Sequence, residues 1–315
     1  MTLAIVVQDW RPDELRDALE RRAPGREVRI WPDLPGDPAA IEYALVWQPP
    51  PGALAAMPRL KAIFSLGAGA DAILKDDTVP KEVPLVRVVD PDITTRMTAF
   101  IVLQVLLHHR QQLRLLANQR ARVWDTFATT PPSATRVGVL GFGHLGQEAG
   151  RALAGLGFAV AGWSRTHKQV PGIASFAGPA ELDAFLARTD TLVVLLPLTA
   201  ETTGILDRAL FRKLSRSGPL GAPVLINAGR GKLQIEADIL AALDAGELAG
   251  ASLDVFEHEP LPPDSPLWDH PGVILSPHQA ADSEPDAIAR YVLAQIECFE
   301  RGEGLTRQVD RTRGY

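Results

Sequence analysis

Residues 136–146 read Arg136-Val-Gly-Val-Leu140-Gly141-Phe142-Gly143-His144-Leu145-Gly146, and this stretch decides the fold. Arg136–Leu140 is a short apolar run of strand character. The glycines follow at once, and then comes an amphipathic stretch, Leu145–Leu156, with apolar residues at 145, 149, 152, 153 and 156. Glycine triplets are common by chance, and a glycine turn that binds nothing is the bland reading. Between a strand and a helix each glycine has a task. Gly141 permits a tight turn, Gly143 lets backbone N–H groups approach a pyrophosphate, and Gly146 lets helix and strand pack closely. The helix N-terminus adds its partial positive charge.

Around this motif, short apolar runs alternate with helical patterns along most of the chain, which predicts α/β architecture with parallel sheets. Upstream, the strands are expected at Leu3–Val7, Val28–Ile30, Ala44–Trp47, Ala62–Phe64 and Leu85–Val88. A helix is expected at Pro12–Arg22, opened by Pro12 and Asp13 and stopped before Pro24-Gly25. Thr94 to Leu116 reads as one helix, apolar around much of its circumference and therefore buried between two domains. Asp125 to Thr135 reads as a linker. The second sheet takes Arg136–Leu140, Ala159–Trp163, Thr191–Leu196, Ala222–Asn227, Gly250–Asp254 and Val273–Leu275, with a further helix at Ala237–Ala245. The last helix, Pro285–Glu300, carries Ile288, Val292, Ile296 and Phe299 on one face and is expected to return to the first domain. The fold class is thus α/β, with two doubly wound parallel-sheet domains. One is a Rossmann dinucleotide-binding domain over residues 99–282; the other is a smaller flavodoxin-like substrate domain over 1–98 plus 283–315.

Composition narrows the function. With 315 residues, 46% hydrophobic and 22% charged, the chain has the makeup of a globular protein. A net charge of -6 argues against a nucleic-acid surface or an anionic membrane as partner. One cysteine, Cys298, excludes a disulfide framework and a cysteine-rich zinc site. No secretory leader is read at Met1-Thr2-Leu3, and Met97 to Leu107 is too short for a membrane span. A soluble, cytoplasmic protein is expected.

The second strand of the dinucleotide unit runs into Trp163-Ser164-Arg165-Thr166-His167-Lys168. A site for NAD would place a carboxylate near here for the ribose 2′-hydroxyl. No Asp or Glu occurs between Gly157 and Ser175. Arg165, with Ser164 and Lys168, suits a 2′-phosphate instead, so NADPH (NADP) is expected over NADH. The bland reading is an exposed basic turn.

Three segments stand at or just past the carboxyl ends of expected strands, where ligands collect in open α/β sheets. They are Asn227-Ala228-Gly229-Arg230-Gly231, Asp254-Val-Phe-Glu-His-Glu259-Pro260 and Ser276-Pro-His278-Gln-Ala280-Ala281. An Arg holds a carboxylate bidentately and polarises a neighbouring carbonyl. An imidazole beside a carboxylate is fixed in one tautomer and stabilised as imidazolium, which is what a general acid needs. Singly, each has a bland reading as a turn or surface residue; together on successive strand ends they point to a site.

In their order and spacing, Gly141–Gly146, Leu196-Pro197-Leu-Thr-Ala-Glu-Thr202, Asn227–Gly231, Leu253–Pro260 and Pro277-His278 resemble the D-2-hydroxyacid dehydrogenase family. Further segments are similar to its NADPH-dependent glyoxylate/hydroxypyruvate reductases: Ala44-Leu-Val-Trp47-Gln-Pro-Pro, Leu66-Gly-Ala-Gly69-Ala-Asp71, Trp163–Thr166 and the ending Gln308–Tyr315. The resemblance implies that Arg230 binds a 2-oxoacid, His278 is the acid/base and Glu259 its partner. It implies that N–H groups of Ala68 and Gly69 receive the substrate carboxylate beside Trp47, which agrees with a glycine-rich turn acting as an anion nest. Asp254 would contact the nicotinamide amide, and Leu196, Pro197, Thr202, Ala228, Gly229 and Ala280 would line the cofactor cleft. Relatives form dimers through the cofactor domain, so a homodimer is implied. Two positions depart from the family pattern: Gly229 replaces a usual alanine, and Ala99 stands where close relatives carry a glutamate.

Other residues have bland readings. His108 and His109 are adjacent on a helix and cannot form an i,i+4 metal pair, so no metal is expected. His258 reads as a solvated neighbour of Glu259, and Cys298 has no electropositive context in sequence. The expected activity is NADPH-dependent reduction of a small 2-oxoacid, glyoxylate or hydroxypyruvate. Alternatives are an NAD-dependent dehydrogenase of a bulkier D-2-hydroxyacid and a cofactor-sensing scaffold protein.

Overall fold

In a computed structural model describing residues 2–8, 11–67 and 69–312, β1 (Thr2–Val7) is buried along nearly its whole length. It is followed by α1 (Pro12–Arg22), β2 (Glu27–Ile30), β3 (Ile41–Trp47), β4 (Ala62–Ser65), α2 (Asp71–Leu74) and β5 (Leu85–Arg87). All neighbouring strands pair parallel, in the order β2-β1-β3-β4-β5. That is the flavodoxin-like order, with the chain reversing direction across the sheet beside β1. Side chains alternate between the faces as a period of two requires. Leu3, Ile5, Tyr43, Leu45 and Phe64 enter one core, and Ala4, Val6, Ala44, Val46 and Ile63 the other.

The dinucleotide unit begins on α3 (Pro91–His109), followed by α4 (Gln112–Ala121), β6 (Arg136–Leu140), α5 (His144–Gly155), β7 (Ala159–Ser164), β8 (Ala174–Ala177) and α6 (Gly178–Ala187). Then come β9 (Thr191–Val194), α7 (Arg208–Lys213), β10 (Val224–Asn227), α8 (Glu236–Asp244), β11 (Gly250–Leu253), β12 (Val273–Leu275) and α9 (Pro285–Glu300). The sheet has seven parallel strands in the order β12-β11-β10-β9-β6-β7-β8. Its strand order reverses at the β6–β9 boundary, so the carboxyl ends of β6 and β9 border the crevice where such sheets bind ligands. Alternation again separates two cores, with Leu140, Leu192, Val194 and Leu225 on one face and Val137, Val139, Val193 and Ile226 on the other.

The chain divides into two compact units, Met1–Ile93 with Asp282–Tyr315, and Thr94–Ala281. Helix α9 belongs to the first. Its fully buried Ile288, Val292 and Ile296 share a core with Leu15 and Leu19 of α1. Each such side chain contributes on the order of 1.5–3 kcal/mol by leaving water. Arg22 of α1 reinforces the pair with two bonds to Asp286, of 2.8 and 2.5 Å.

The structure departs from the sequence reading in three places. The expected helix over 94–116 is two helices, broken where Gln111 adopts a left-handed conformation, φ 52°. Only α3 is buried: Met97, Ile101 and Val105 lie in the core with Val137 and Val139, while α4 has no buried residue. Second, β8 adds a strand to the six expected, and α6 follows it. Third, several strands end earlier than their apolar runs; Leu195, Leu196 and Asp254 already belong to the loops beyond β9 and β11. No helix among the described residues is long and apolar enough to cross a membrane.

Candidate active site

The phosphate turn is built as its glycines require. Gly141 has φ 107°, and a Cβ there would lie 2.5 Å from the Leu195 carbonyl carbon. A Cβ on Gly146 would lie 2.4 Å from the Gly141 oxygen, so the first turn of α5 sits directly on the loop. Phe142, wholly buried, anchors the loop from below, and the N–H groups of Gly141 and Phe142 both donate to the Trp163 carbonyl. The N-terminus of α5 has no side-chain cap, and a Cβ on the N-cap residue Gly143 would meet open space. Uncapped helix amides beside an open glycine face are the chemistry a pyrophosphate requires, so these residues fit the phosphates of a dinucleotide.

At the end of β7, Ser164 donates from Oγ to the Thr166 carbonyl at 2.8 Å, and Lys168 donates from Nζ to Thr166 Oγ1 at 3.1 Å. Arg165 and Thr166 are exposed on this turn. The nearest acid beyond it, Glu181, is engaged by the Ala177 N–H and by His167 at 3.3 Å. The turn therefore presents a guanidinium and an ammonium with no carboxylate of its own, which fits a 2′-phosphate. In the loop after β9, the Thr202 hydroxyl braces its own turn. It donates to the Pro197 carbonyl and accepts from Thr199 N–H, both at 2.8 Å.

Arg230, Glu259 and His278 come from the loops after β10, β11 and β12, which are adjacent strands. His278 Nδ1 and Glu259 Oε2 are 2.7 Å apart. The other carboxylate oxygen, Oε1, accepts from the Phe256 N–H at 3.0 Å. Burial works to raise the Glu259 carboxyl. The His278 hydrogen bond and charge, the Phe256 N–H and the nearby positive charge of Arg230 outweigh it, so Glu259 lies below the usual carboxylate range. Arg230 Nη1 donates to the Gly229 carbonyl at 2.7 Å, which ties the guanidinium to its own turn. The structure therefore brings the guanidinium, carboxylate and imidazole expected from sequence into one neighbourhood.

His278 has φ 50°, a left-handed conformation uncommon outside glycine. Asp254 holds it there. Its carbonyl accepts the His278 N–H at 2.7 Å; its Oδ1 accepts from Ser276 Oγ at 2.6 Å and Gln279 N–H at 3.0 Å; its Oδ2 accepts from Ala280 N–H at 3.0 Å. Asp254 is 1% exposed, and burial raises its carboxyl despite those hydrogen bonds. The structure thus places both oxygens of Asp254 beneath the His278 loop. This bracing, and the part of Ser276 in it, is not readable from sequence, where the resemblance names Asp254 only as a contact of the nicotinamide amide.

The Arg230 turn is braced likewise. Asn227 Oδ1 accepts from Gly229 N–H at 3.0 Å, and its Nδ2 donates to the Arg230 carbonyl at 3.2 Å. A Cβ at Gly229 would stand 2.9 Å from Leu233 Cδ1 and 3.0 Å from the Leu196 carbonyl oxygen, so glycine here gives a tightly packed turn. Within the first unit, Trp47 ends β3 with its indole over Gly67, where a Cβ would lie 2.4 Å from Cζ3. Ser65 Oγ donates to the Gly69 carbonyl at 2.7 Å and shapes the same turn. Ala68, named above for the substrate carboxylate, lies outside the described residues.

Elsewhere, His108 and His109 have separate partners, Ser252 Oγ at 2.8 Å and Thr135 Oγ1 at 3.2 Å. Among the described residues no group of three His, Cys, Asp or Glu is placed to hold a metal. His258 is exposed. The reading of Cys298 is corrected: Arg301, one turn along, puts its Nη2 3.3 Å from the sulfur, an electropositive neighbour that lies past the helix end.

Residues 102–280 match the family described as D-isomer specific 2-hydroxyacid dehydrogenase, NAD binding domain. The chain belongs to this family. It is 40% identical over 302 residues to glyoxylate/hydroxypyruvate reductase A of Yersinia enterocolitica, covering 94% of each chain. The enzyme of the same name from Salmonella paratyphi B is 43% identical over 304 residues, covering 95% of each. Among solved structures, the NADPH-dependent glyoxylate/hydroxypyruvate reductase of Sinorhizobium meliloti, in complex with NADP and sulfate, superposes with a TM-score of 0.95 at 47% identity. That match covers 100% of this chain and 99% of the other. A D-isomer specific 2-hydroxyacid dehydrogenase of Xanthobacter autotrophicus Py2, in complex with NADPH and MES, gives 0.94 at 40% identity, covering 100% and 99%. As a member of the family, the chain is an NAD(P)-dependent oxidoreductase with the family's Rossmann-type fold.

Proposed function

We propose that the protein is an NADPH-dependent reductase of small 2-oxoacids, converting glyoxylate to glycolate and hydroxypyruvate to D-glycerate. The observation that carries this reading is the Arg230, Glu259 and His278 set on adjacent strand ends of a dinucleotide fold, with the 2.7 Å bond that holds the imidazole. The Yersinia, Salmonella and Sinorhizobium relatives are named as glyoxylate/hydroxypyruvate reductases, and the Sinorhizobium and Xanthobacter structures hold NADP and NADPH. The Thr94–Ala281 unit serves as the cofactor domain and the other as the substrate domain.

The α5 amides with Gly141–Gly146 would hold the pyrophosphate, and Ser164, Arg165, Thr166 and Lys168 would hold the 2′-phosphate. Leu196, Pro197, Thr202, Ala228, Gly229, Asp254 and Ala280 would border the nicotinamide half. When bound, NADPH supplies the hydride that reduces the keto carbon. Arg230 binds the substrate carboxylate and stabilises negative charge developing on the keto oxygen. His278 donates a proton to that oxygen through Nε2, the nitrogen opposite its bond to Glu259. Glu259 keeps the imidazole oriented and charged until that transfer.

This reading includes a homodimer, supported by the bare apolar surface of α4 and the segment after it, and a cytoplasmic location, where NADPH is the available reductant. The test is NADPH oxidation followed with glyoxylate, hydroxypyruvate, pyruvate and phenylpyruvate, repeated with NADH. Glyoxylate and hydroxypyruvate with NADPH are expected to give the highest kcat/KM, and His278→Ala to lower kcat by about 10²–10⁴. Preference for phenylpyruvate or for NADH would refute the substrate or the cofactor assignment respectively, and near-normal turnover in His278→Ala would remove the acid.

A further inference from the structure

Gln234 lies between Leu233 and Ile235 just past the Arg230 turn, and it is 2% exposed. An amide buried there costs free energy unless both of its ends are satisfied, and an apolar side chain would pack at no such cost. Both ends are satisfied, each by a different loop. Oε1 accepts from Asn227 Nδ2 at 2.8 Å, and Nε2 donates to the Val255 carbonyl at 2.9 Å.

Asn227 is the residue that grips the Arg230 turn, through Gly229 N–H and the Arg230 carbonyl. Val255 immediately precedes Phe256, whose N–H holds Glu259 Oε1, while Glu259 Oε2 holds His278. The two loops touch directly as well, since a Cβ on Gly231 would stand 1.7 Å from the Phe256 carbonyl oxygen. Backbone packing sets how close the loops come. Against sliding they are tied by two sets of bonds: Glu236 N–H donates to Glu257 Oε1 at 2.6 Å and Glu257 N–H to Glu236 Oε1 at 2.8 Å, and the buried Gln234 amide adds its two directional bonds nearest the Arg230 turn.

We propose that Gln234 is a positioning residue that locks the Arg230 turn to the Glu259 loop, keeping the substrate-binding cation and the partner of the acid imidazole in fixed register. The proposal deepens the oxoacid-reductase reading and rests on it. It assigns Gln234 no contact with substrate or cofactor. A small drift of either loop would misplace Arg230 relative to His278, and an error near 1 Å can cost about 10²-fold in rate.

The test is Gln234→Met, which keeps the length and removes both bonds. Expected is a roughly 10- to 100-fold loss of kcat/KM for the oxoacid, with KM raised and kcat lowered together. Kd for NADPH, read by fluorescence quenching, should stay within about twofold. Hydrogen exchange of the cofactor-free protein should quicken in segments 228–231 and 255–259 and stay unchanged in β10 and β11. Wild-type kinetics and exchange would overturn the proposal; so would losses shared equally by NADPH affinity and the whole sheet, which mark a general core defect. If Gln234→Met does not fold, Gln234→Asn carries the same measurements, with a smaller effect expected and an unchanged exchange pattern overturning it. A wild-type protein with no oxoacid turnover would refute the reductase reading, while the exchange data would still decide the Gln234 lock.

Discussion

Nδ1 of His278 faces a carboxylate that is held from both sides, and this fixes what each group can do. Glu259 lies below the usual carboxylate range, so it stays ionised throughout the neutral region and loses its charge only in acid. Glu259→Gln keeps the shape and removes the charge beside the ring. We expect kcat for oxoacid reduction to fall about 10²-fold while Kd for NADPH is unchanged. Steady-state rates and cofactor titration on both proteins check this; a kcat near that of the wild type would mean that the Glu259 charge takes no part. The three side chains proposed to react were singled out in the sequence because each follows an apolar run expected to be a strand, and strand ends are where such sheets bind ligands. Their supports were not. Asp254, Ser276 and Gln234 act through bonds to loops up to a few tens of residues away, and no local pattern marks a side chain for a partner that only the folded topology supplies. The left-handed backbone of His278 belongs to the same class, since it is imposed by four hydrogen bonds to Asp254 and not by a glycine.

Among the elements, the long helix after β5 shows where periodicity misleads. Apolar residues continue from Met97 through Leu116 with no glycine or proline between them, so nothing in the sequence announces the break at Gln111. β8 is hidden for the opposite reason: Ala174-Ser-Phe-Ala177 lies at the sheet edge, none of its residues is fully buried, and so it lacks an apolar signature. The end of α3 carries a group with a measurable consequence. His108 is buried against Ser252 and Gly250, and burial pushes its imidazole down to about 4 from an ordinary 6.5. Between those values the unfolded chain binds a proton that the folded one refuses, so stability rises with pH across that window and is lost as pH falls through it. From neutral pH to pH 5 the loss attributable to His108 is about 2 kcal/mol. His108→Gln retains a polar partner for Ser252 and does not titrate. Unfolding free energies from urea titrations at pH 7.5 and pH 5 should therefore differ less in the variant than in the wild type by that amount, and equal differences would place the effect elsewhere.

At the scale of the whole molecule, the two parallel sheets were expected from the sequence because parallel strands buried on both faces are continuous apolar runs, and connections between them are right-handed and short. The exposure of α4 was hidden by the same signal, since an apolar stripe reads as core whether or not its own chain covers it. Helix α4 has no buried residue, yet a ten-residue helix is marginal without tertiary packing. Leu115, Leu116 and Val123 are exposed on it or just after it, and Trp124 is 97% exposed. Arg114 stacks 4.3 Å from the Phe127 ring centroid and pairs with Asp125 at 2.5 Å, so the segment beyond the helix is ordered while its apolar groups face outward. A patch of this kind marks a protein interface, and the proposed homodimer would meet here. We expect the wild type to sediment as a dimer at micromolar concentration. Trp124→Ser combined with Leu115→Glu, both exposed and therefore tolerated by the fold, should sediment as a monomer with its far-ultraviolet circular dichroism nearly unchanged. A wild type that is monomeric at that concentration, or a double variant that stays dimeric, would show that α4 and Trp124 serve some other contact.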